Sequence, residues 1–455
     1  MPVEQNDTLT QLQNFLAAGP TEGLRRFLRE AHYADLAEVL PELNLPQQIK
    51  IIRMCEPAKA AAVLYELDRA EVAALLEGLG EWRAASILRE MSPDDAVDLL
   101  GEMPQEERER FLSLMGKSEA EDVQELLEHG PETAGGIMTT EYVSVKKDMT
   151  VQEAINSLRA TAPDAETVYY VYVVDAQNRL VGVVSLRELI LSAPSTRVGD
   201  VMRTEVVSVN VRTDQEEVAR VVAKYDFLAV PVVDDAQKLL GIVTVDDILD
   251  VLEEEATEDI LRLANIEYEG RYFGTGVLKR AGKRLPWLIV LLFGGLLAGN
   301  VIANFSTTLS AVTALAFFIT VMAGGPGNLA TQTLAVVVRG LATGEVSPRE
   351  VVAVIVGEVE VALVVGLVSG IIIAVVAYAW QREALIGLIV GVSLALSMVI
   401  AAVIGSFVPL IINRFGVDPA LASGPFITTL MDVCSMLIYF GFATFMMNRF
   451  AVWHF

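Results

Sequence analysis

Apolar and polar positions alternate with a helical period over the first part of the chain. Up to about residue 130, apolar residues recur at i, i+3 and i+4 in short phrases that end in Gly, Pro or Asp. ADLAEVLPEL, AEVAALLEGLG and DAVDLLGEMP are three of these phrases. Because such short helices cannot bury their apolar stripes alone, we expect residues 1–132 to form an all-α superhelical arm of stacked hairpins. A helical adaptor without chemistry of its own is the alternative for this arm.

The pattern changes to short Val-rich runs with Gly and Asp at the turns over residues 133–252. These runs occur twice. IMTTEYVSV (137–145) matches VMRTEVVSV (201–209), and VGVVSLREL (181–189) matches LGIVTVDDI (240–248). Each copy reads strand, helix, strand, strand, helix, which predicts an α/β domain made by internal duplication.

An acidic helix is expected next, within a connecting helix and linker at 253–284 that continues the last helix of the duplication. Between Asp246 and Asp259, eight of fourteen residues are acidic and none is basic, so an isolated helix would repel itself. A solvated face is one explanation. The other is that hard divalent cations bridge these acids to carboxylates elsewhere in the soluble part. The candidates for the other side are Glu216, Glu217, Asp226, Asp94 and Asp95.

Five apolar segments fill residues 285–455, and each reaches the 20 or so residues that a membrane-spanning helix needs. They lie at about 286–305, 309–338, 351–379, 384–412 and 420–447. Basic residues before the first segment predict a cytosolic start, and an odd number of spans then places the C-terminus outside. We expect a multi-pass cell-membrane protein with a five-helix transmembrane domain and cytoplasmic N-terminal domains.

Charge and composition exclude several classes of function. The formal net charge of −25 lies mainly before the membrane segments, which argues against nucleic acid and is compatible with attracting cations. Two cysteines form no disulfide framework, and three scattered histidines form no zinc site. The first residues do not read as a signal peptide. Because nucleotide-hydrolase, metalloprotease and nucleophile motifs are missing, we do not expect an enzyme.

Asp432 is the most informative polar residue of the predicted spans. A carboxylate at membrane depth costs about 2.5–3.5 kcal/mol on insertion scales, so its presence needs a reason. Its helix face includes the hydroxyl residues Thr428, Thr429, Ser435 and Tyr439. A protonated structural Asp bonded to Thr or Asn is one explanation. An ion path for a hydrated cation such as Mg²⁺ is the one we favour.

Other polar residues extend this prediction. The phrase MAGGPGNLATQT (322–333) predicts a break in the second span, with Asn328 and Gln332 facing one way beyond it, and a packing kink is the alternative. Asp418 lies at the cytosolic edge of the last span. Glu358 and Glu360 lie near the inner mouth, and at most one of them can line a central path.

Two resemblances follow from these motifs. GVVSLRE and GIVTVDD resemble the phrases of a tandem CBS pair, a module that often binds adenine nucleotides. The whole order of arm, CBS pair, acidic helix and five spans is similar to the MgtE family of magnesium channels. The most specific pieces are TDQEEVARVVAKYDF, GIVTVDDILDVLEEEATEDI, AVTALAFFITVMAGGPGN, RGLATGEV and GVDPALASGPFITTLMDV.

The resemblance implies a homodimeric Mg²⁺ channel that mediates influx, closes when internal Mg²⁺ binds, and is modulated by ATP. The expected pore residues are Asp432 and Thr428, to which the residues themselves add Asn328 and Asp418. The expected regulatory carboxylates are Glu216, Asp226, Asp247, Asp250, Glu255, Glu258 and Asp259, with Asp95 from the arm. The expected ATP site is Tyr170, Arg187, Glu188 and Phe227.

The chain differs from the family pattern at several positions, and two other functions are possible for it. Gly424 stands where the family commonly has Asn, and Glu360 where it usually has a small residue. The arm phrase AKAAAVL has only alanines where the family has a carboxylate. A transporter of Mn²⁺ or Co²⁺ and a non-conducting membrane nucleotide sensor are the alternatives.

Overall fold

The computed structural model describes residues 9–16, 22–101, 103–161, 165, 167–264, 266, 277–343, 345–346, 350–415 and 417–449. They divide into two compact units, Met1–Glu255 and Ala256–Phe455. Parts of the predicted arm and linker, residues 1–8 and 267–276, lie outside the described residues, as does His454.

The first unit begins with the predicted arm of short helices. They are α1 (9–16), α2 (Glu22–Glu30), α3 (Tyr33–Val39), α4 (Leu45–Met54), α5 (Pro57–Tyr65), α6 (Arg69–Leu79), α7 (Glu81–Leu88), α8 (Pro93–Gly101), α9 (Gln105–Leu112) and α10 (Lys117–Leu126). Local chemistry starts them: Asn44 and Gln47 form a reciprocal capping box before α4, and Pro57 opens α5. Each helix contributes buried apolar residues to one shared core, mostly Leu, Ile and Val, with Phe111 from α9. The all-α arm is confirmed.

Two small sheets follow, one for each copy of the duplication. Their elements are β1 (Ser144–Lys146), α11 (Val151–Thr161), β2 (Tyr170–Val174), β3 (Leu180–Ser185), α12 (Leu186–Leu191), α13 (Val198–Val201), β4 (Val209–Asn210), α14 (Gln215–Tyr225), β5 (Ala229–Val233) and β6 (Leu239–Thr244). Both sheets have a parallel pair followed by an antiparallel pair, in the orders β1-β2-β3 and β4-β5-β6. The predicted duplication is therefore present in the fold.

The remaining helices carry the apolar part of the chain. They are α15 (Val245–Leu263), α16 (Val277–Asn304), α17 (Ser306–Ala311), α18 (Ile319–Ala342), α19 (Val351–Gln381), α20 (Ala384–Arg414) and α21 (Gly424–Arg449), with 3₁₀ turns at Thr313–Phe318 and Pro419–Leu421. Among the described residues, five helices are long and apolar enough to cross a membrane. The predicted five spans are confirmed by length and composition.

One prediction for the second span is wrong. The span itself, expected at about 309–338, is present at Thr313–Ala342, after the short helix α17 that ends at Ala311. The expected break at the Gly-Gly-Pro-Gly sequence is missing, since α18 runs without interruption through Pro326. Proline removes one backbone donor, and an otherwise apolar membrane helix tolerates that loss when neighbouring helices pack around it. Pro326 is buried among them.

A glycine seam joins α19 and α20. A Cβ atom on Gly370 would lie 2.7 Å from the Gly391 carbonyl oxygen, and one on Gly391 would lie 2.6 Å from the Gly370 oxygen. Gly387 faces the Ala374 oxygen in the same way, at 2.7 Å. The backbones of the two helices can approach this closely only because these residues lack side chains.

Candidate functional site

A pocket of about 860 Å³ lies in the second unit, between the end of α15 and the helices α16, α18 and α21. Amides and hydroxyls line its membrane face, which is the ligand chemistry of a hydrated hard cation. We call it the membrane pocket. Its lining residues are Leu263, Ala264, Leu291, Asn328, Thr331, Gln332, Ala335, Gly424, Pro425, Thr428 and Thr429.

Close helix packing positions the polar lining of the membrane pocket. A Cβ on Gly327 would lie 3.0 Å from the Thr428 methyl carbon, so this glycine lets α18 approach α21. There the hydroxyls of Thr331 and Thr428 are 3.2 Å apart. Asn328 and Gln332 are both exposed on the lining, which agrees with the expectation that they face one way. Gly327 of this motif therefore serves helix contact rather than a helix break.

Asp432 lies on α21, one helical turn beyond Thr428, and outside the lining of the membrane pocket. Its side chain is half-buried in the single chain, and no described residue forms a hydrogen bond or ion pair with it. The alternative of a structural Asp bonded to Thr or Asn therefore fails among the described residues. An unbonded carboxylate at this place is open to a ligand from outside the single chain.

The predicted polar stripe beside Asp432 is only partly present. Thr428 and Thr429 line the membrane pocket, but Ser435 and Tyr439 are buried in the helix core. The Tyr439 hydroxyl donates a hydrogen bond of 3.0 Å to the Leu315 carbonyl oxygen. That half of the prediction is wrong, because shared sequence spacing does not decide which side of a helix neighbouring helices cover.

The other membrane carboxylates have different surroundings. Glu358 on α19 accepts a hydrogen bond of 3.1 Å from Thr333, which is buried on the preceding helix, α18. Glu360 is exposed on the surface of α19. Asp418 is ion-paired with Arg262, a residue that the sequence reasoning did not consider. The sequence could have pointed to Arg262 as a partner of these acids, because it is the first basic residue after the acidic run.

A buried Asp94 and a half-buried Asp247 lie near each other in the first unit. Only 8% of Asp94 is exposed, and one of its carboxylate oxygens has no hydrogen-bond partner among the described residues. Burial, followed by the nearby Asp94 carboxylate, raises the pKa of Asp247 to about 8. Burial likewise raises the pKa of Asp94. The Thr244 hydroxyl donates a hydrogen bond of 2.5 Å to Asp247.

Further acidic side chains lie near Tyr65, at the end of α5. Its hydroxyl donates a hydrogen bond of 3.1 Å to Asp250. Burial raises the Tyr65 pKa, and the charges of Asp250, Asp95 and Asp247 raise it further. The fold thus brings Asp95 of the arm near two acids of α15, as the sequence predicted. Glu255 accepts a hydrogen bond of 2.7 Å from Gln215 on α14.

The remaining regulatory candidates are not assembled into a cage. Glu216 pairs with Arg220 at 2.9 Å, and Glu258 pairs with Arg262. Asp226 is exposed and ends α14 in a left-handed conformation, whereas Asp259 is half-buried on α15. Within the described ranges, no group of three or more His, Cys, Asp or Glu side chains could hold a metal ion. Any cation here would keep much of its water.

The predicted nucleotide residues lie on both copies of the duplication. Tyr170 pairs in register with Ser185 at the edge where α12 begins. Glu188 forms a capping box with Ser185 and an ion pair of 3.2 Å with Arg203. The Ser185 backbone amide is the main cause of the lowered pKa of Glu188. Arg187 is exposed, and the ring of Phe227 stacks on Tyr225 at 5.4 Å between centroids.

The matching glycines of the duplication have a role in the fold. A Cβ on Gly241 would lie 2.6 Å from the Thr139 carbonyl oxygen, and one on Gly182 would lie 2.5 Å from the Met202 sulfur. These glycines admit neighbouring segments, because Thr139 bridges to Ile242 and Arg203 to Val183.

The helical arm, the duplicated α/β pair and the polar pocket among five apolar helices are together the architecture of a multidomain membrane transport protein. Family models agree over three parts of the chain. They are the MgtE intracellular N domain at 31–132, the CBS domain at 134–194 and 198–254, and MgtE, divalent cation transporter, at 319–442. The chain belongs to the MgtE family of divalent cation transporters.

Individual relatives support this membership. The magnesium transporter MgtE of Enterococcus faecalis is 46% identical over 332 residues, which cover 73% of each chain. The magnesium transporter MgtE of Thermus thermophilus is 41% identical over 441 residues, which cover 96% of this chain and 98% of the relative.

Solved structures match the soluble part. A crystal structure of the cytosolic domain of the Mg²⁺ channel MgtE in complex with ATP has a TM-score of 0.52 and 45% identity, over 53% of this chain and 99% of that one. The soluble part of a magnesium transporter has a TM-score of 0.52 and 38% identity, over 55% of this chain and 99% of that one.

Proposed function

We propose that this chain forms a homodimeric channel that conducts Mg²⁺ into the cell across the cell membrane. The observation that carries the proposal is Asp432, a half-buried carboxylate in a membrane helix to which no described residue is bonded. Across a two-fold axis, two such carboxylates would hold one hydrated dication and offset their mutual repulsion. A potential of 100 mV contributes about 2.3 kcal/mol per charge, hence about twice that for Mg²⁺.

The membrane pocket supplies the next step of the path. Thr428 is one turn from Asp432, and the amides of Asn328 and Gln332 extend the same polar lining. Neutral oxygen donors suit an ion that exchanges few of its water molecules. The pocket also contains the last residues of α15, so a movement of this helix would change access to it.

Regulation by internal Mg²⁺ is proposed at the acids of the first unit. One carboxylate oxygen of Asp94 has no hydrogen-bond partner among the described residues, and the Asp94 carboxylate contributes to the raised pKa of Asp247 beside it. Hydrated Mg²⁺ between such carboxylates would favour the conformation in which the arm contacts α15. Asp95 and Asp250 would add to the same two-state equilibrium. Glu216, Asp226, Glu255 and Asp259 complete the proposed regulatory set, whereas Glu258, also expected there, is paired with Arg262.

ATP is proposed as a modulator at the CBS pair. Tyr170 and Phe227 offer aromatic faces, Arg187 offers an exposed positive charge, and Glu188 can accept ribose hydroxyls. The relative whose cytosolic domain was crystallised with ATP supports this assignment. In this chain Glu188 must leave its Arg203 ion pair or share it with the nucleotide.

Transport is tested with the purified chain in liposomes and a Mg²⁺-sensitive dye inside. We expect Asp432→Asn to lower Mg²⁺ influx at least about tenfold, because the dication loses its charged ligand. Glu360→Gln is the matched control, since it neutralises an exposed membrane carboxylate outside the proposed path. Equal influx in wild type and Asp432→Asn would reject the pore assignment.

The same assay separates the rival functions. Influx of Mn²⁺ or Co²⁺ that exceeds Mg²⁺ influx in competition would point to another cargo. A wild-type protein that binds ATP but conducts no ion would be a nucleotide sensor. The proposed orientation, with the C-terminus outside, is checked by labelling a cysteine placed near Arg449 from either side of the membrane.

A further inference from the structure

Arg262 lies in the last turn of α15 and contacts two carboxylates of the second unit. One is Glu258, a turn earlier on the same helix, and the other is Asp418, which precedes α21. The three side chains are 34%, 35% and 28% exposed. Ion pairs that are half removed from water are screened less than exposed pairs.

Arg262 lies directly before two residues that line the membrane pocket. The next two residues, Leu263 and Ala264, are part of the pocket lining. The Leu263 carbonyl oxygen would lie 3.5 Å from a Cβ placed on Gly424, the first residue of α21. Arg262 is therefore the charged anchor of the short stretch of chain that borders the pocket.

The chemistry of Arg262 resembles that of a bound cation. From Val245 to Leu261 this helix has no Lys or Arg, so Arg262 is its first positive charge. A guanidinium stays charged at any physiological pH, and its planar fork can contact two carboxylates at once. A positive charge is also favoured at the C-terminal end of a helix. Glu258 and Asp418, which the sequence suggested as cation ligands, are already neutralised by it.

We propose that Arg262 is a positioning residue that holds the end of α15 at the membrane pocket through Asp418. The contact between Arg262 and Asp418 then favours the closed channel without any divalent cation. Arg262 thereby also determines the internal Mg²⁺ concentration at which the channel closes. This inference rests on the proposed function, because closure has a meaning only for a conducting protein. In this proposal the guanidinium of Arg262, and not Mg²⁺, balances the charges of Glu258 and Asp418.

The first experiment measures Mg²⁺ influx into liposomes containing the full chain, over a range of Mg²⁺ at the cytoplasmic face. We expect Arg262→Gln to raise the Mg²⁺ concentration for half-closure about three- to tenfold. Closure is still reached, because the acids of the first unit that are proposed to bind Mg²⁺ are unchanged in this variant. Arg262→Lys should give an intermediate shift, because an ammonium is a point charge without the planar fork.

A double variant tests whether Arg262 and Asp418 act through one contact. Asp418→Asn should shift half-closure like Arg262→Gln, and the double variant should shift it no further. Arg212→Gln is the matched control, because it removes an exposed ion pair with Asp235 in the first unit and should change nothing. Unshifted closure in Arg262→Gln, or shifts that add in the double variant, would overturn the proposal.

A second measurement does not depend on conduction. Hydrogen exchange of the amides at 258–264, in lipid nanodiscs without Mg²⁺, should be about three- to tenfold faster in Arg262→Gln and in Asp418→Asn. Unchanged exchange rejects the positioning role whatever the protein transports. Faster exchange in a protein that shows no Mg²⁺ influx would keep the positioning role and reject the proposed function.

Discussion

At the scale of single residues, the partner of each carboxylate decides what that carboxylate can do. Glu188 is satisfied by Ser185 and Arg203, so its pKa is lowered and its charge is compensated. Asp94 is buried with one oxygen unpaired, and its charge needs a cation or a proton. Asp432 has no bonded partner among the described residues. Residue type alone does not distinguish these three environments.

Tyr65 provides a test at this scale. We expect Tyr65→Phe to speed hydrogen exchange in α5 about fivefold in Mg²⁺-free buffer, because one hydrogen bond to Asp250 contributes about 1 kcal/mol. Exchange is measured by mass spectrometry on the full chain. Tyr33→Phe, which removes a phenol that is 39% exposed on α3, is the control. If both variants exchange like the wild type, the Tyr65–Asp250 contact does not stabilise the arm.

At the scale of elements, glycine positions determine which helices can approach each other. α19 and α20 meet through Gly370 and Gly391, whose missing side chains bring each backbone against the other. Gly357, on the same α19, has nothing within 4 Å of its would-be Cβ. Identical residues in one helix therefore have opposite packing roles.

This difference predicts opposite effects of one substitution. Gly391→Ala should destabilise the membrane unit by about 1–3 kcal/mol, because its Cβ would meet a backbone oxygen that cannot move aside. Gly357→Ala should be neutral or stabilising by up to about 1 kcal/mol, since alanine favours helix. Thermal unfolding in detergent compares the two. A Gly391→Ala protein as stable as Gly357→Ala would show that the seam can widen.

At the scale of the whole molecule, negative charge is concentrated in one part of the chain. The net charge of −25 is concentrated before the membrane spans, and α15 extends from these acids to a residue that lines the membrane pocket. Several weak cation sites acting on one two-state element would produce a steep response. The response should then depend on the particular acids and not on total charge.

A triple variant tests whether closure depends on particular acids or on the total charge. Neutralising Asp247, Asp250 and Glu255 to their amides should leave Mg²⁺ influx high at internal Mg²⁺ that closes the wild type, because cations no longer bridge these groups. Liposome flux measures the effect. Glu106, Glu107 and Glu109 on α9 are neutralised together as the control for the same change in charge. If the variant of Asp247, Asp250 and Glu255 closes at the same internal Mg²⁺ concentration as the wild type, the proposal that cations bridge these carboxylates is wrong.

Periodicity and composition predicted the class of each part of the chain. Apolar stripes with Gly and Pro breaks predicted the arm, the repeated Val-rich phrases predicted two like sheets, and apolar length predicted five spans. The candidate site was predicted less completely. Asp95, Asp250 and Asp247 come together as expected, whereas Ser435 and Tyr439 do not join Asp432 at the polar surface.

The sequence by itself determined the element types, the membrane segments and the excess of acids, because these depend on local periodicity and on summed charge. Only the tertiary structure decided that α18 continues through Pro326, that Asp94 is buried beside Asp247, and that Arg262 neutralises Asp418. The physical reason is that burial and pairing depend on residues distant in sequence. A glycine, a carboxylate or an arginine acquires its role from the neighbours that packing brings to it.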